Sequence, residues 1–140
     1  MSIKTLSATA EVAVRFNEVD SYEIVWHGNY AIYFEEGRTY FGKKFNIDYA
    51  DFLAQDIFVP ITKMEVEYLR PLVYGQKILV ETTFEDSKAA KVIFNYKIRD
   101  AANKQLLSRG RTEQAMLNER RELYYTIPPF FKTWKEKWLH

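Results

Sequence analysis

The 140-residue chain contains no cysteine, which removes disulfides, thiolate nucleophiles and cysteine-based zinc sites together. His27 and His140 are its only histidines, too few for a multi-histidine metal centre within one chain. No metal and no cofactor are therefore expected. No run of about 18 apolar residues occurs that would span a bilayer. The segment MSIKTLSATAEVAV lacks the continuous apolar core of a secretion signal. No membrane span is expected, and a reducing cytoplasm is the compartment these absences point to. A surplus of one charge is missing too: the net charge is +1, so general steering toward nucleic acid is not indicated. With no repeat, low-complexity tract or evident linker, residues 1–140 are expected to form a single domain.

Aromatic side chains are abundant: ten Tyr, ten Phe and three Trp. That much rigid apolar surface suggests a helix packed on a sheet, an oligomer interface, or both. Val12, Val14 and Phe16 alternate with Glu11, Ala13 and Arg15, the pattern of a half-buried strand. From Tyr30 the period changes. Tyr30, Tyr33, Phe34, Gly37, Tyr40, Phe41 and Phe45 fall mostly three or four apart, predicting one face of a helix of roughly four turns. Glu35, Glu36, Arg38, Lys43 and Lys44 take the other face. A shorter helix is predicted over Ile47–Ala54, and strands over Pro60–Leu69, Gln76–Glu85, Ala90–Arg99 and Lys104–Leu117. The connections are short enough for antiparallel hairpins. A strand, a long helix and four more strands must bury their faces on each other, which predicts an α+β fold with a five-stranded antiparallel sheet. After two prolines, Phe130, Trp134 and Trp138 stand four apart, predicting a short terminal helix.

Three segments carry a resemblance that spans nearly the whole chain. They are 15-RFNEVDSYEIVWHGNYAIYFEEGR-38, 66-VEYLRPLVYGQKILVET-82, and the late strands through Met116. The first is the specific one. An aspartate ends the first strand, a hydrophobic pair and an aromatic follow, and an Asn-Tyr step enters a helix carrying F-E-x-x-R. These residues resemble the 4-hydroxybenzoyl-CoA thioesterase family of the hotdog fold. The resemblance implies a five-stranded antiparallel sheet wrapped around a long central helix. It also implies hydrolysis of an acyl- or aroyl-CoA, or of an acyl-carrier-protein thioester. A homodimer or homotetramer with the acyl site between subunits is implied as well. One departure stands out: the family pattern D-x-x-G is here Asp20-Ser21-Tyr22-Glu23. Glycine belongs where the backbone needs positive φ or a ligand approaches closely. Glutamate there implies either a changed loop or an added carboxylate at the rim.

Thioester hydrolysis asks for a group that activates water or attacks the carbonyl, and for donors that receive the oxyanion. The leaving thiol, with a pKa of about 8.5 by analogy with cysteine, needs little acid assistance. Asp20 alone reads as a turn residue closing the first strand; with the resemblance it becomes the general base or the nucleophile. The first N–H groups of a helix are unpaired and partly positive, which suits an oxyanion. By resemblance the His27 backbone N–H fills that role, and Gly28 leaves room for the thioester. The His27 imidazole has the alternative of capping or packing. Tyr22, Glu23, Trp26 and Asn29 surround this point as expected substrate contacts, although Asn29 is also a good helix cap. Lys88 and Lys91 lie where the family tends to place cations for coenzyme A phosphates, and are equally explained as solvated surface lysines. Two other classes stay open: a hotdog hydratase or dehydratase using Asp20 and His27, and a non-catalytic acyl-thioester binder.

Overall fold

A computed structural model describes residues 5–140. Strand β1 (Ser7–Ala13) leads through a short 3-10 turn at Phe16–Glu18 to a loop and a second 3-10 turn, His27–Asn29. That turn runs directly into the long helix α1 (Tyr30–Phe45). A short helix α2 (Tyr49–Leu53) follows, then strands β2 (Ile61–Tyr68), β3 (Lys77–Glu85), β4 (Lys91–Asp100) and β5 (Leu106–Ala115), and a last helix α3 (Pro129–Leu139). All pairings are antiparallel, and the sheet order is β1-β3-β4-β5-β2. This is the α+β hotdog arrangement, a five-stranded sheet curved around one central helix.

Helix α1 buries Tyr30, Tyr33, Phe34, Gly37, Phe41 and Phe45, the stripe its spacing predicts, with one exception. Tyr40 is half exposed: its turn of the helix faces outward beside β1. Each fully buried ring on the stripe contributes about 1.5–3 kcal/mol relative to exposure. Two glycines let helix and sheet approach. A Cβ on Gly37 would sit 2.5 Å from Thr82 Oγ1, and one on Gly110 would sit 2.3 Å from the Phe34 ring. The Phe34 ring stacks on Tyr96 with centroids 4.5 Å apart. The helix stops at Asn46, which is left-handed (φ 57°) and donates its N–H to the Gly42 carbonyl. The Trp134 indole N–H of α3 then donates to the Phe45 carbonyl at 2.7 Å.

Other expectations need correction. Phe16 lies beyond β1 in the 3-10 turn and is 74% exposed, because the alternation ends when the chain leaves the sheet. Neither Glu35 nor Glu36 pairs with Arg38 among the described residues, although all three share a helix face: Glu36 pairs with Arg15 at 2.6 Å, and the Arg38 guanidinium turns toward the Tyr96 hydroxyl. Helix α3 buries Phe131, Trp134, Lys135 and Leu139, one position on from the predicted stripe at two of its three sites. Lys135 is accommodated by Asp86 at 2.7 Å and the Ser87 carbonyl at 2.6 Å, so an apolar count alone misplaces that face. Among the described residues, no helix is long and apolar enough to cross a membrane.

Candidate active site

The chain between β1 and α1 folds back on itself at Asp20. The Glu23 N–H donates to the Asp20 carbonyl at 2.9 Å and the Asp20 N–H to the Ile24 carbonyl at 2.8 Å. Val19 and Val25 form an antiparallel bridge around this turn. Such a three-residue hairpin wants a left-handed residue at its last loop position, normally glycine. Glu23 adopts that conformation, with φ 66°. The substitution has therefore kept the left-handed turn that a glycine would favour, at the cost of placing a Cβ in a region that disfavours one. The Glu23 side chain is exposed and is absent from the cavity wall beside Asp20.

The Asp20 carboxylate is partly buried, and its Oδ1 accepts the Tyr22 N–H at 2.8 Å. This fixes the rotamer and leaves Oδ2 facing outward for another partner. Asp20, Tyr22, Trp26 and His27 share one open cavity of about 540 Å³, a size that suits a drug-sized ligand. A second cavity of about 80 Å³ beside the middle of α1 is too small for an acyl group.

Beneath the cavity the turn His27–Asn29 precedes α1. Among the described residues, the His27 and Gly28 N–H groups have no backbone or side-chain acceptor, as expected at a helix start. Gly28 itself is covered by the Trp26 indole: a Cβ there would lie 2.1 Å from the ring. The glycine is thus required by Trp26, and it lies outside the cavity wall. Asn29 differs from expectation. It makes no side-chain cap, and its Nδ2 donates instead to the Glu18 carbonyl at 2.9 Å.

Glu18 was not singled out by sequence, yet it holds this region together. Its carbonyl also accepts the Trp26 N–H at 3.0 Å. Its carboxylate, only 5% exposed, accepts the Arg15 N–H at 2.8 Å, Arg15 Nε at 2.7 Å and the Tyr33 hydroxyl at 2.8 Å. Burial opposes its charge, but the Arg15 and Tyr33 donors outweigh burial and hold the carboxyl below the usual range. The same contact, after burial itself, pushes the Tyr33 phenol up. The segment after β1, the His27–Asn29 turn and α1 are therefore tied through one residue.

The far wall comes from β2 and the residues after it. Tyr68, Leu69 and Arg70 join Tyr30 there. The Tyr30 and Tyr68 rings meet edge to face at 4.7 Å, and burial first, then Tyr68, push the Tyr30 phenol up to about 12. The Tyr68 hydroxyl donates to the His27 carbonyl at 3.0 Å. The Arg70 guanidinium lies against the Gln105 amide, whose oxygen accepts from Nε at 2.8 Å in the orientation that satisfies both groups. Tyr68, Leu69 and Arg70 sit inside the second resembling segment, and the Ile24–Val73 bridge and the bond from the Val25 N–H to the Leu72 carbonyl bring them to the Asp20 loop.

Lys88 and Lys91 are not part of this cavity. They follow β3, whose opposite end lies near Asp20 through the Ile24–Val73 bridge. At roughly 3.3 Å per residue, the strand separates them from it by about 26 Å. Lys91 is also engaged by Glu113 at 3.0 Å. The cation beside Asp20 within one chain is Arg70. Among the described residues, no group of three or more His, Cys, Asp or Glu converges as metal ligands.

Comparison with known proteins agrees with this architecture. YneP of Bacillus subtilis, whose name carries a provisional acyl-CoA thioesterase assignment, is 34% identical over 92 residues, covering 66% of this chain and 67% of that protein. The DHNA-CoA thioesterase of Staphylococcus aureus superposes with a TM-score of 0.83 at 28% identity, over 93% of this chain and 87% of that one. A 1,4-dihydroxy-2-naphthoyl-CoA thioesterase of Synechocystis, at 19% identity, shares the fold with a TM-score of 0.81, over 92% and 95% of the two chains. The sequence profile of the thioesterase-like superfamily matches residues 14–134, a span that holds the Asp20 turn, the start of α1 and every strand after it. The chain belongs to the thioesterase-like superfamily.

Proposed function

We propose that this protein hydrolyses an acyl- or aroyl-thioester of coenzyme A or an acyl-carrier protein, releasing the free acid and the thiol. The observation that carries this reading is the shared cavity. The Asp20 carboxylate and His27, whose N–H has no acceptor among the described residues, flank one space of about 540 Å³. Asp20 Oδ2 takes a proton from water as the water oxygen bonds to the thioester carbon. The carbonyl oxygen becomes an oxyanion and is received by the His27 N–H at the start of the helix. Collapse breaks the C–S bond, and the proton held by Asp20 returns to the departing thiolate. The nucleophilic variant has Asp20 attack the carbon directly, expelling thiolate and leaving an anhydride that water opens.

Aromatic walls from Tyr22, Trp26, Tyr30 and Tyr68 support an aroyl group of the 4-hydroxybenzoyl-CoA type. Asp20 lies seven residues beyond the end of β1, in the hairpin before α1 and not at the strand end its sequence pattern suggests, and a carboxylate on this loop supports that branch over one with its carboxylate on the central helix. Here Glu36 is occupied by Arg15 and Glu35 is exposed outside the Asp20 cavity. Strand β2 supports a homodimer. It is an edge strand, and Met64, Val66 and Tyr68 project from the face shared with Thr112, Gly110 and Ser108 without full cover. A second copy paired along this edge would extend the sheet and bring its own lysines toward the site.

The test is a panel of aliphatic and aromatic acyl-CoA substrates, with thiol release followed by a colorimetric reagent. Asp20→Asn should lower kcat by about 10²–10⁴-fold with the fold intact. Full activity in a folded Asp20→Asn protein would sink the assignment. Single turnover in ¹⁸O-water tests for the anhydride route, since label enters Asp20 only when water opens an anhydride at the Asp20 carboxyl carbon.

A further inference from the structure

The proposed oxyanion donor, the His27 N–H, belongs to the peptide that joins Trp26 to His27. A trans peptide is planar with its C=O and N–H opposed, so whatever fixes the Trp26 carbonyl also sets the direction of the His27 N–H. The Trp26 carbonyl accepts the Asn29 N–H at 2.9 Å, and the Trp26 N–H donates to the Glu18 carbonyl at 3.0 Å. Asn29 reaches that same carbonyl with its side chain, Nδ2 to oxygen at 2.9 Å. Three hydrogen bonds thus close a ring through Trp26, Asn29 and Glu18, and the Trp26 carbonyl is part of it.

We infer that Asn29 is a positioning residue: its side chain ties the end of the turn to the Glu18 carbonyl, holds the Asn29 N–H on the Trp26 carbonyl, and so aims the His27 N–H into the Asp20 cavity that His27 lines. The inference rests on the reading of this N–H as the oxyanion donor. Hydrogen-bond geometry in a 3-10 turn is poor, and its middle residue, Gly28, has no Cβ to restrict rotation. Without the tether the turn is free to relax into the better bonding of α1. The Trp26 carbonyl would then pass from the Asn29 N–H to the Tyr30 N–H, and the peptide plane would tilt with it.

The anchor is a fixed point. Glu18 is 5% exposed, and its carboxylate is held by Arg15 and by the Tyr33 hydroxyl from inside α1. With Trp26 and Asn29 both donating to it, the two lone pairs of its carbonyl are used. The residue type at position 29 follows from this contact and not from capping, since Asn29 makes no side-chain cap. An amide is what the contact requires. Aspartate would match it in size but would set a carboxylate against a carbonyl oxygen with no proton between them.

Asn29→Ala removes the tether. Losing an oxyanion donor outright costs about 10²–10³-fold in kcat, so a donor tilted and not lost should cost about 10-fold. KM should stay within about twofold, because the donor matters most as charge develops. The pH profile of kcat should keep its apparent pKa, because Asp20 is untouched. Asn29→Asp should lose as much kcat as alanine, and it carries the same test should the alanine variant fail to fold. The His27 amide resonance in a ¹H–¹⁵N spectrum should shift in both. Trp134→Phe is the control for stability alone: it breaks a side-chain bond to the backbone at the far end of α1, and should lower Tm while leaving kcat and the His27 resonance unchanged. Unchanged kcat in both Asn29 variants, a rise in KM alone, or an equal loss of kcat in Trp134→Phe overturns the inference. If Asp20→Asn is inactive while Asn29→Ala is fully active, the inference alone fails; if Asp20→Asn keeps full activity, the functional reading fails and takes the inference with it.

Discussion

Replacing Glu23 by glycine should make the protein more stable although no contact is gained. Glu23 holds φ at 66°, where a side chain costs roughly 1–2 kcal/mol. Glycine removes that strain but gives the unfolded chain more freedom, offsetting roughly 0.5–1 kcal/mol. The difference leaves a stabilisation of about 0.5–1 kcal/mol, equivalent to a rise in Tm of about 2–4 °C for a chain of this size. Urea unfolding should show a higher midpoint with an unchanged slope, the signature of altered stability without altered compactness. Glu23→Ala is the control that separates backbone from charge: it removes the carboxylate and keeps the Cβ, so it should give none of the gain. Glu23→Asn should fall between, since asparagine tolerates this region. If alanine stabilises as much as glycine, the strain argument is refuted and the exposed carboxylate is the cause. Activity should change little in all three, because this side chain does not line the cavity.

Acid should weaken the fold in a defined window. Arg111 and then Lys91 hold the Glu113 carboxyl at about 2, and Glu18 and Glu85 are also held below their ordinary range. Groups with depressed folded pKa values stabilise fully above their unfolded value near 4.5 and lose that contribution as pH falls toward about 2. Tm should therefore be nearly level down to about pH 5 and fall below it, with a shallower fall in Glu113→Gln; equal slopes would contradict the assignment. Sedimentation equilibrium should find paired chains, and Val66→Asp on the shared face of β2 should shift them toward single chains and make Tm depend on protein concentration. A wild-type protein that stays single-chain at high concentration would remove the edge-pairing proposal.

The parts of the fold legible in the sequence were those with a clean local period. The α1 stripe and strands β3 and β4 declare themselves because each buries one face, whereas β2 shows its pattern although the chain leaves it largely exposed. Phe16 and Tyr40 misled because periodicity counts a ring as buried before anything is known of what faces it. In α3, apolar residues occupy more than one stripe, and only the Lys135 contact with Asp86 shows which arc turns inward. Asp20 and the helix mouth could be located from sequence because they are 7–10 residues apart on one loop. Tyr68 and Arg70 could not be given a place, since the bridge between Ile24 and Val73, distant in sequence, decides where they lie. Glu18 was hidden for a different reason: its work is done equally by a carboxylate and by a backbone carbonyl, and the latter leaves no trace in residue type.

The three tryptophans also give the molecule an optical division of labour. Trp26 is 49% exposed at the mouth of the cavity, whereas Trp134 is 5% exposed with its indole bound to a carbonyl, and Trp138 packs against Phe45 at 5.2 Å. Emission from Trp26 should therefore lie to the red and be open to aqueous quenchers, while the other two report from within the fold. Iodide would silence the first and leave the others lit. A single sample can thus display occupancy of the site and integrity of the core as separable signals, without any label attached.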